Sequence, residues 1–277
     1  MGIVDFILNL AGLLLWLNWR SQRFDPLGKR TPATLIGTLR RAEPRRLRRW
    51  HLLAALGALL LLRAVLYWQI GPGVGWMAGK LDLGVVELSF RSDSFARILP
   101  FSIFSFGLTL GIFYLWLLLF SVLAGPEPFH RLVRIQLGLV DHLSRGTKCF
   151  LPLMFTALLW WLASWPLTWL DIVPPPVSVA HRLEESLVIG LGGYLAWKYA
   201  VSALLVLYLL NSYIYFGKHP FWNYVATEAQ TLLRPLRVVP LRVGKADFAP
   251  VVGMVLVFLF AELAERGLAE LYLRLPF

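Results

Sequence analysis

The stretch FSIFSFGLTLGIFYLWLLLFSVLA, residues 101–124, runs for 24 residues without a charged side chain. As an α-helix it would be about 36 Å long, enough to cross the roughly 30 Å hydrocarbon core of a bilayer. Further apolar runs lie at 3–18, 52–71, 150–170, 188–216 and 251–271, the first short and the fourth of these long for a span. A chain of 277 residues with 58% hydrophobic residues and 12 Trp cannot place them all in one water-soluble core, so the bilayer must be the solvent for much of it. The expected fold class is all-α: a polytopic membrane protein of about six transmembrane helices.

Working outward, one pattern recurs. An apolar span enters a loop with a proline near its start (Pro26, Pro128, Pro220), an apolar-and-basic stretch follows (33–41, 131–143, 223–234), and a second span leaves. Such repetition reads as three membrane hairpins in tandem. The expected organisation is hairpin module 1 at 1–71, an outer loop at 72–99, module 2 at 100–170, an outer loop at 171–187 and module 3 at 188–277.

The formal net charge of +11 is unevenly placed. Lys and Arg number ten in 19–50, four in 125–148 and five in 217–249, against three in 72–99, one in 171–187 and one after 271. By the positive-inside rule the three repeat loops face the cytoplasm and both termini face out, across a bacterial-type inner membrane. Asp5 and the absence of a basic leading stretch mark the first run as a retained helix rather than a cleaved leader.

The loops suit short helices lying on the membrane surface. In the first, Leu35, Ile36 and Leu39 share a face, with Arg40, Arg41, Arg45, Arg46, Arg48 and Arg49 beyond. Near an anionic leaflet each basic residue contributes about 1 kcal/mol of attraction, so anionic headgroups are the expected partner. No nucleic-acid recognition motif accompanies the charge. His130 and His142 lie twelve apart, off any metal-ligand spacing, and Cys149 is the one cysteine, so neither a metal nor another cofactor is expected.

The third loop is the most specific: HPFWNYVATEAQTLLRPLRVVPLRVGKADFAPVVGMVLVFLF, residues 219–260. Pro235 and Pro240 lack backbone donors, so the segment between them is expected to run extended. Asp247 stands where its carboxylate accepts orphan N–H groups of the next helix, and Pro250 fits that helix's first turn. Arg234, Arg237 and Arg242 would face phosphate groups or a protein partner.

Pro220, Pro235, Arg237, Pro240, Gly244, Asp247 and Pro250 together resemble the motif of the YggT family, over about residues 218–265. Phe248 and Ala249 stand where that family usually has leucine and serine. Modules 1 and 2 carry degenerate versions. The resemblance implies a non-enzymatic integral membrane protein, of a class linked to envelope or membrane-complex assembly, cell division or nucleoid organisation, and osmotic tolerance. It implies a scaffold or assembly role at the cytoplasmic face, with a membrane-protein partner or further copies of the chain.

Arg63, Lys198, Glu262 and Glu265 interrupt the apolar spans, where a charge is costly unless paired. Counting 1.5 Å per residue from the inner span ends puts Arg63 and Glu262 at similar depths of about 17–20 Å, so an ion pair between hairpins 1 and 3 is expected. Lys198 lies nearer the outer surface and reads as an interfacial anchor. The alternative function is a small ion or solute transporter with Arg63, Glu262 and Glu265 along the route. Gly107, Gly111, Gly190, Gly192 and Gly193 would let helices approach closely, either within the chain or between copies of it. Residues 81–90 suggest a short extended outer segment, and 181–186 a short separate helix. No phosphate loop, dinucleotide fingerprint, H-E-x-x-H or serine elbow occurs, and no catalytic residue is assigned.

Overall fold

Long apolar runs leave the backbone one way to satisfy its N–H and C=O groups without water, which is to coil into helices. A computed structural model describes residues 2–24, 49–71, 79–90, 94–123, 133, 136–214, 220–238, 241–243 and 246–275. Its helices are α1 (Ile3–Phe24), α2 (Arg49–Gln69), α3 (Phe95–Leu123), α4 (Arg145–Trp169), α5 (Val179–Gly192), α6 (Trp197–Tyr213), α7 (Pro220–Leu232) and α8 (Ala249–Leu273). Among the described residues five helices are long and apolar enough to cross a membrane: Ile3–Ser21, Trp50–Gln69, Phe95–Leu123, Arg145–Trp169 and Val179–Tyr213. The chain is an all-α polytopic membrane protein. The last expected span, 251–271, lies within α8, which has 25 residues but carries Glu262, Glu265, Arg266 and Glu270 in its second half.

By contacts the chain divides into two units, Met1–Leu81 with Ser89–Gly111, and Asp82–Leu88 with Ile112–Phe277. In the first, α1 packs along α2, and the first part of α3 completes the core. Phe101 is its centre, with Tyr67 edge-on at 5.6 Å and Phe90 tilted at 5.5 Å between ring centroids. Gly12 is required where α1 passes Phe106, since a Cβ there would lie 2.8 Å from the ring.

In the second unit α4 packs along α5, α7 lies on α6, and α8 runs against α5 and α6. The expected short helix at 181–186 and the expected span from 188 are one rod over Val179–Tyr213. Ser178 caps it by accepting from the His181 N–H at 3.0 Å, and a 3-10 turn at Gly193–Ala196 joins α5 to α6 without a bend into a loop. Of the five glycines, three meet a close approach within the chain. A Cβ on Gly190 would meet the Leu153 carbonyl at 2.9 Å, on Gly192 the Val85 side chain at 2.7 Å, and on Gly193 the Thr156 hydroxyl at 2.8 Å, whereas Gly107 and Gly111 have nothing within 4 Å.

The expected extended segment at 81–90 is a small ribbon of β1 (Lys80–Asp82) and β2 (Glu87–Ser89). Its turn needs a left-handed residue, supplied by Gly84 at φ 82°, whose N–H donates to the Asp82 carboxylate at 2.7 Å. A second ribbon pairs β3 (Arg242–Val243) with β4 (Ala246–Asp247), Arg242 opposite Asp247.

Candidate functional site

Helical spacing brings a polar set together inside the first unit. Asp5 and Asn9 are four apart on α1, Arg63 and Tyr67 four apart on α2, and Ser102 and Ser105 three apart on α3, so each pair shares one face of its helix. The Arg63 guanidinium, 1% exposed, donates through Nη2 to the Asp5 carboxylate at 2.6 Å and to the Ser105 hydroxyl at 2.8 Å. Its Nη1 donates to the Asn9 amide oxygen at 2.8 Å, and the Asn9 amide nitrogen donates to Ser105 at 3.1 Å. The Phe101 ring lies 4.9 Å from the guanidinium carbon, and Ser102 donates to the Leu60 carbonyl at 2.8 Å. A buried cation is tolerable only when paired and hydrogen-bonded, and α1 and α3 supply those partners to Arg63 of α2.

Asp5 therefore takes the place expected for Glu262. Glu262 is instead exposed on α8 and pairs with Arg266 one turn on at 2.8 Å. Depth along a helix fixes a residue's height, but the side of the helix it occupies decides its partner. Lys198 is more than a snorkelling anchor: its ammonium donates to Glu265 at 2.9 Å, joining α6 to α8, and lies 5.2 Å from the Tyr199 ring.

In the third module Pro220 is the first residue of α7, a position where its missing N–H costs nothing. The segment after Pro235 is not extended as expected but begins in a 3-10 turn, Arg234–Val238, closed by the Leu236 N–H on the Leu233 carbonyl at 3.0 Å. A proline near the start of such a turn brings its φ already set and loses no hydrogen bond. Arg234 and Pro235 are exposed, and Arg237 has its backbone in the same turn. Asp247 does cap α8, accepting from the Ala249 N–H at 3.0 Å, and Pro250 occupies the helix's first turn in a buried position. Pro240, Gly244 and the basic residues Arg40, Arg41, Arg45, Arg46 and Arg48 lie outside the described residues, as do the side chains of Arg49, Arg237 and Arg242.

Two groups escaped the sequence reading. Lys148, in the first turn of α4, donates to the Ser121 hydroxyl at 2.6 Å and to Asp141 at 3.1 Å, while Ser121 donates to the same Asp141 oxygen at 2.6 Å. All three are buried. They sit at span edges, where a charge raises no alarm in a hydropathy scan; the signal was a lysine directly before an apolar run with an aspartate seven residues earlier. The second is Glu228 on α7, 1% exposed in a cluster with Leu204, Leu205, Tyr224, Val225, Ala229 and Leu233. Burial pushes its carboxyl up to about 7, and burial together with this neighbouring carboxylate raises the Tyr224 phenol.

Fold and site define the class: a helical membrane protein in which Arg63, Lys148 and Lys198 are each paired with a carboxylate of another element. Among the described residues no group of His, Cys, Asp and Glu could hold a metal ion. Set against protein-family models, curated proteins and solved structures, the chain matches none.

Proposed function

We propose that this chain is a non-enzymatic membrane scaffold or assembly factor of the YggT type, seated in a bacterial-type inner membrane with its three repeat loops and α7 on the cytoplasmic side. One observation carries the reading. Arg63, Lys148 and Lys198 are each closed onto a carboxylate, at 2.6, 3.1 and 2.9 Å, so these charges hold elements together, while Arg234 and Pro235 stand exposed in the turn after α7. Charges used in this way fasten a platform; exposed ones at its edge are available to a partner or to anionic lipid.

Photocrosslinking in native membranes from a reactive residue at Arg234 tests the proposal. Capture of one defined protein, lost when Asp247 is replaced, supports assembly. Recovery of lipid alone removes the partner from the reading. Ion or solute flux through proteoliposomes of the purified chain, abolished in Arg63→Gln protein that is still folded, would replace assembly by transport.

A further inference from the structure

Helix α7 is amphipathic, and its apolar face, Tyr224, Val225, Ala229 and Leu233 just beyond its end, rests on Leu204 and Leu205 of α6. On that same face, three residues after Val225, stands Glu228, 1% exposed and with its Oε2 without a hydrogen-bond partner. A carboxylate so placed would be a bare charge in an apolar seam, which proteins avoid by pairing the group or protonating it. Among the described residues none forms an ion pair with it. Its own helix offers Tyr224, and α6 offers Tyr208 at the edge of the cluster. From α3 comes Phe120, from α8 Ala249 and Met254, and from the turn after α7 Leu236, none of which titrates. Arg234 in that turn is exposed, Asp247 is engaged with the Ala249 N–H, and Lys198 higher on α6 is held by Glu265.

We propose that Glu228 is a proton-binding site and that α7 seats on α6 with this carboxyl protonated, so that protons tighten the seat and their loss releases the helix. The direction follows from linkage. The seated form holds its proton up to about pH 7, whereas the released carboxyl keeps the ordinary value of 4.5. Seating is therefore full at and below the lower value and weakens as pH rises toward the upper one. The seating constant falls about tenfold per pH unit across that window, roughly 300-fold in all, and is flat above it. In the proposed orientation α7 lies on the cytoplasmic surface, and the group would report cytoplasmic pH.

Hydrogen exchange of the full chain in liposomes tests this, with rates corrected for their intrinsic pH dependence. The amides of α7 are expected to lose protection by about 70-fold between pH 5 and pH 8, while those of α6 stay protected. Glu228→Gln, close in shape to the protonated carboxyl, is expected to keep α7 protected at both ends of the range. Unchanged α7 protection in the unmodified protein would overturn the proposal, as would an equal loss in Glu228→Gln. Should that variant fail to protect α6, the profile of the unmodified protein alone decides.

Discussion

Trp116 and Trp197 clasp each other's helices: the Trp116 indole N–H donates to the Ala196 carbonyl at 2.8 Å, and the Trp197 indole N–H donates to the Leu115 carbonyl at 3.0 Å. Each ring reaches the residue that precedes the other, so α3 is joined twice at one level to the junction of the 3-10 turn and α6. A second anchor lies just before this turn, where the Gly190 carbonyl accepts from the Gly193 N–H and also from the Thr156 hydroxyl at 2.9 Å.

Replacing either tryptophan by phenylalanine keeps the ring and removes the donor. Each single variant is expected to lose about 1 kcal/mol of stability by reversible unfolding in detergent. Because the two bonds share a level and a pair of elements, the double variant is expected to lose less than the sum of the singles. An additive double would mean that the bonds act independently.

Arg63→Met leaves Asp5 as a buried, unpaired carboxylate and is expected to cost about 3–5 kcal/mol. Adding Asp5→Leu removes that carboxylate and is expected to restore most of the loss, since an apolar replacement of a whole buried pair is often neutral. The same rescue attempted with Glu262→Leu is expected to do nothing, because Glu262 has Arg266 as its partner. Unfolding of the three variants beside the unmodified protein in one detergent decides between the two pairings.

The glycines divide into two groups that mutation can separate. Gly190→Ala drives a methyl toward the Leu153 carbonyl, which backbone cannot easily yield, and is expected to cost about 1–3 kcal/mol. Gly107→Ala and Gly111→Ala meet open space and are expected to stabilise their helix by about 0.5–1 kcal/mol each. Thermal unfolding of the three single variants checks both signs.

The described spans were legible because apolar length alone specifies them, and the Asp247 cap because its spacing to the next helix is local. The charge pairing was not. Arg63 and Glu262 have matching heights, but successive residues turn about 100° around a helix, and height says nothing about which face meets which neighbour. Asp5 and Asn9 gave the better clue through their four-residue spacing, which repeats in Arg63 and Tyr67. Glu228 went unremarked because it stands outside the spans, where a carboxylate is ordinary; only the packing of α7 on α6 makes it unusual. The Gly192–Gly193 pair suggested close approach, correctly, and hid the continuity of α5 and α6, because Gly193 keeps a helical φ of −56°.

Asp247 separates a structural turn from a recognition site. Its carboxylate accepts the Ala249 N–H at 3.0 Å, and its backbone lies in β4 opposite Arg242. Asp247→Ala is expected to cost about 0.5–2 kcal/mol and to expose the first turn of α8 to hydrogen exchange, while Asp247→Asn keeps an acceptor and is expected to restore most of that protection. The two substitutions differ in the cap; both remove the charge. If Arg234 crosslinking to a partner survives in Asp247→Asn and fails in Asp247→Ala, the aspartate serves the partner through the shape of the turn. If both lose it while the asparagine variant keeps its protected helix, the carboxylate charge itself is part of the recognised surface.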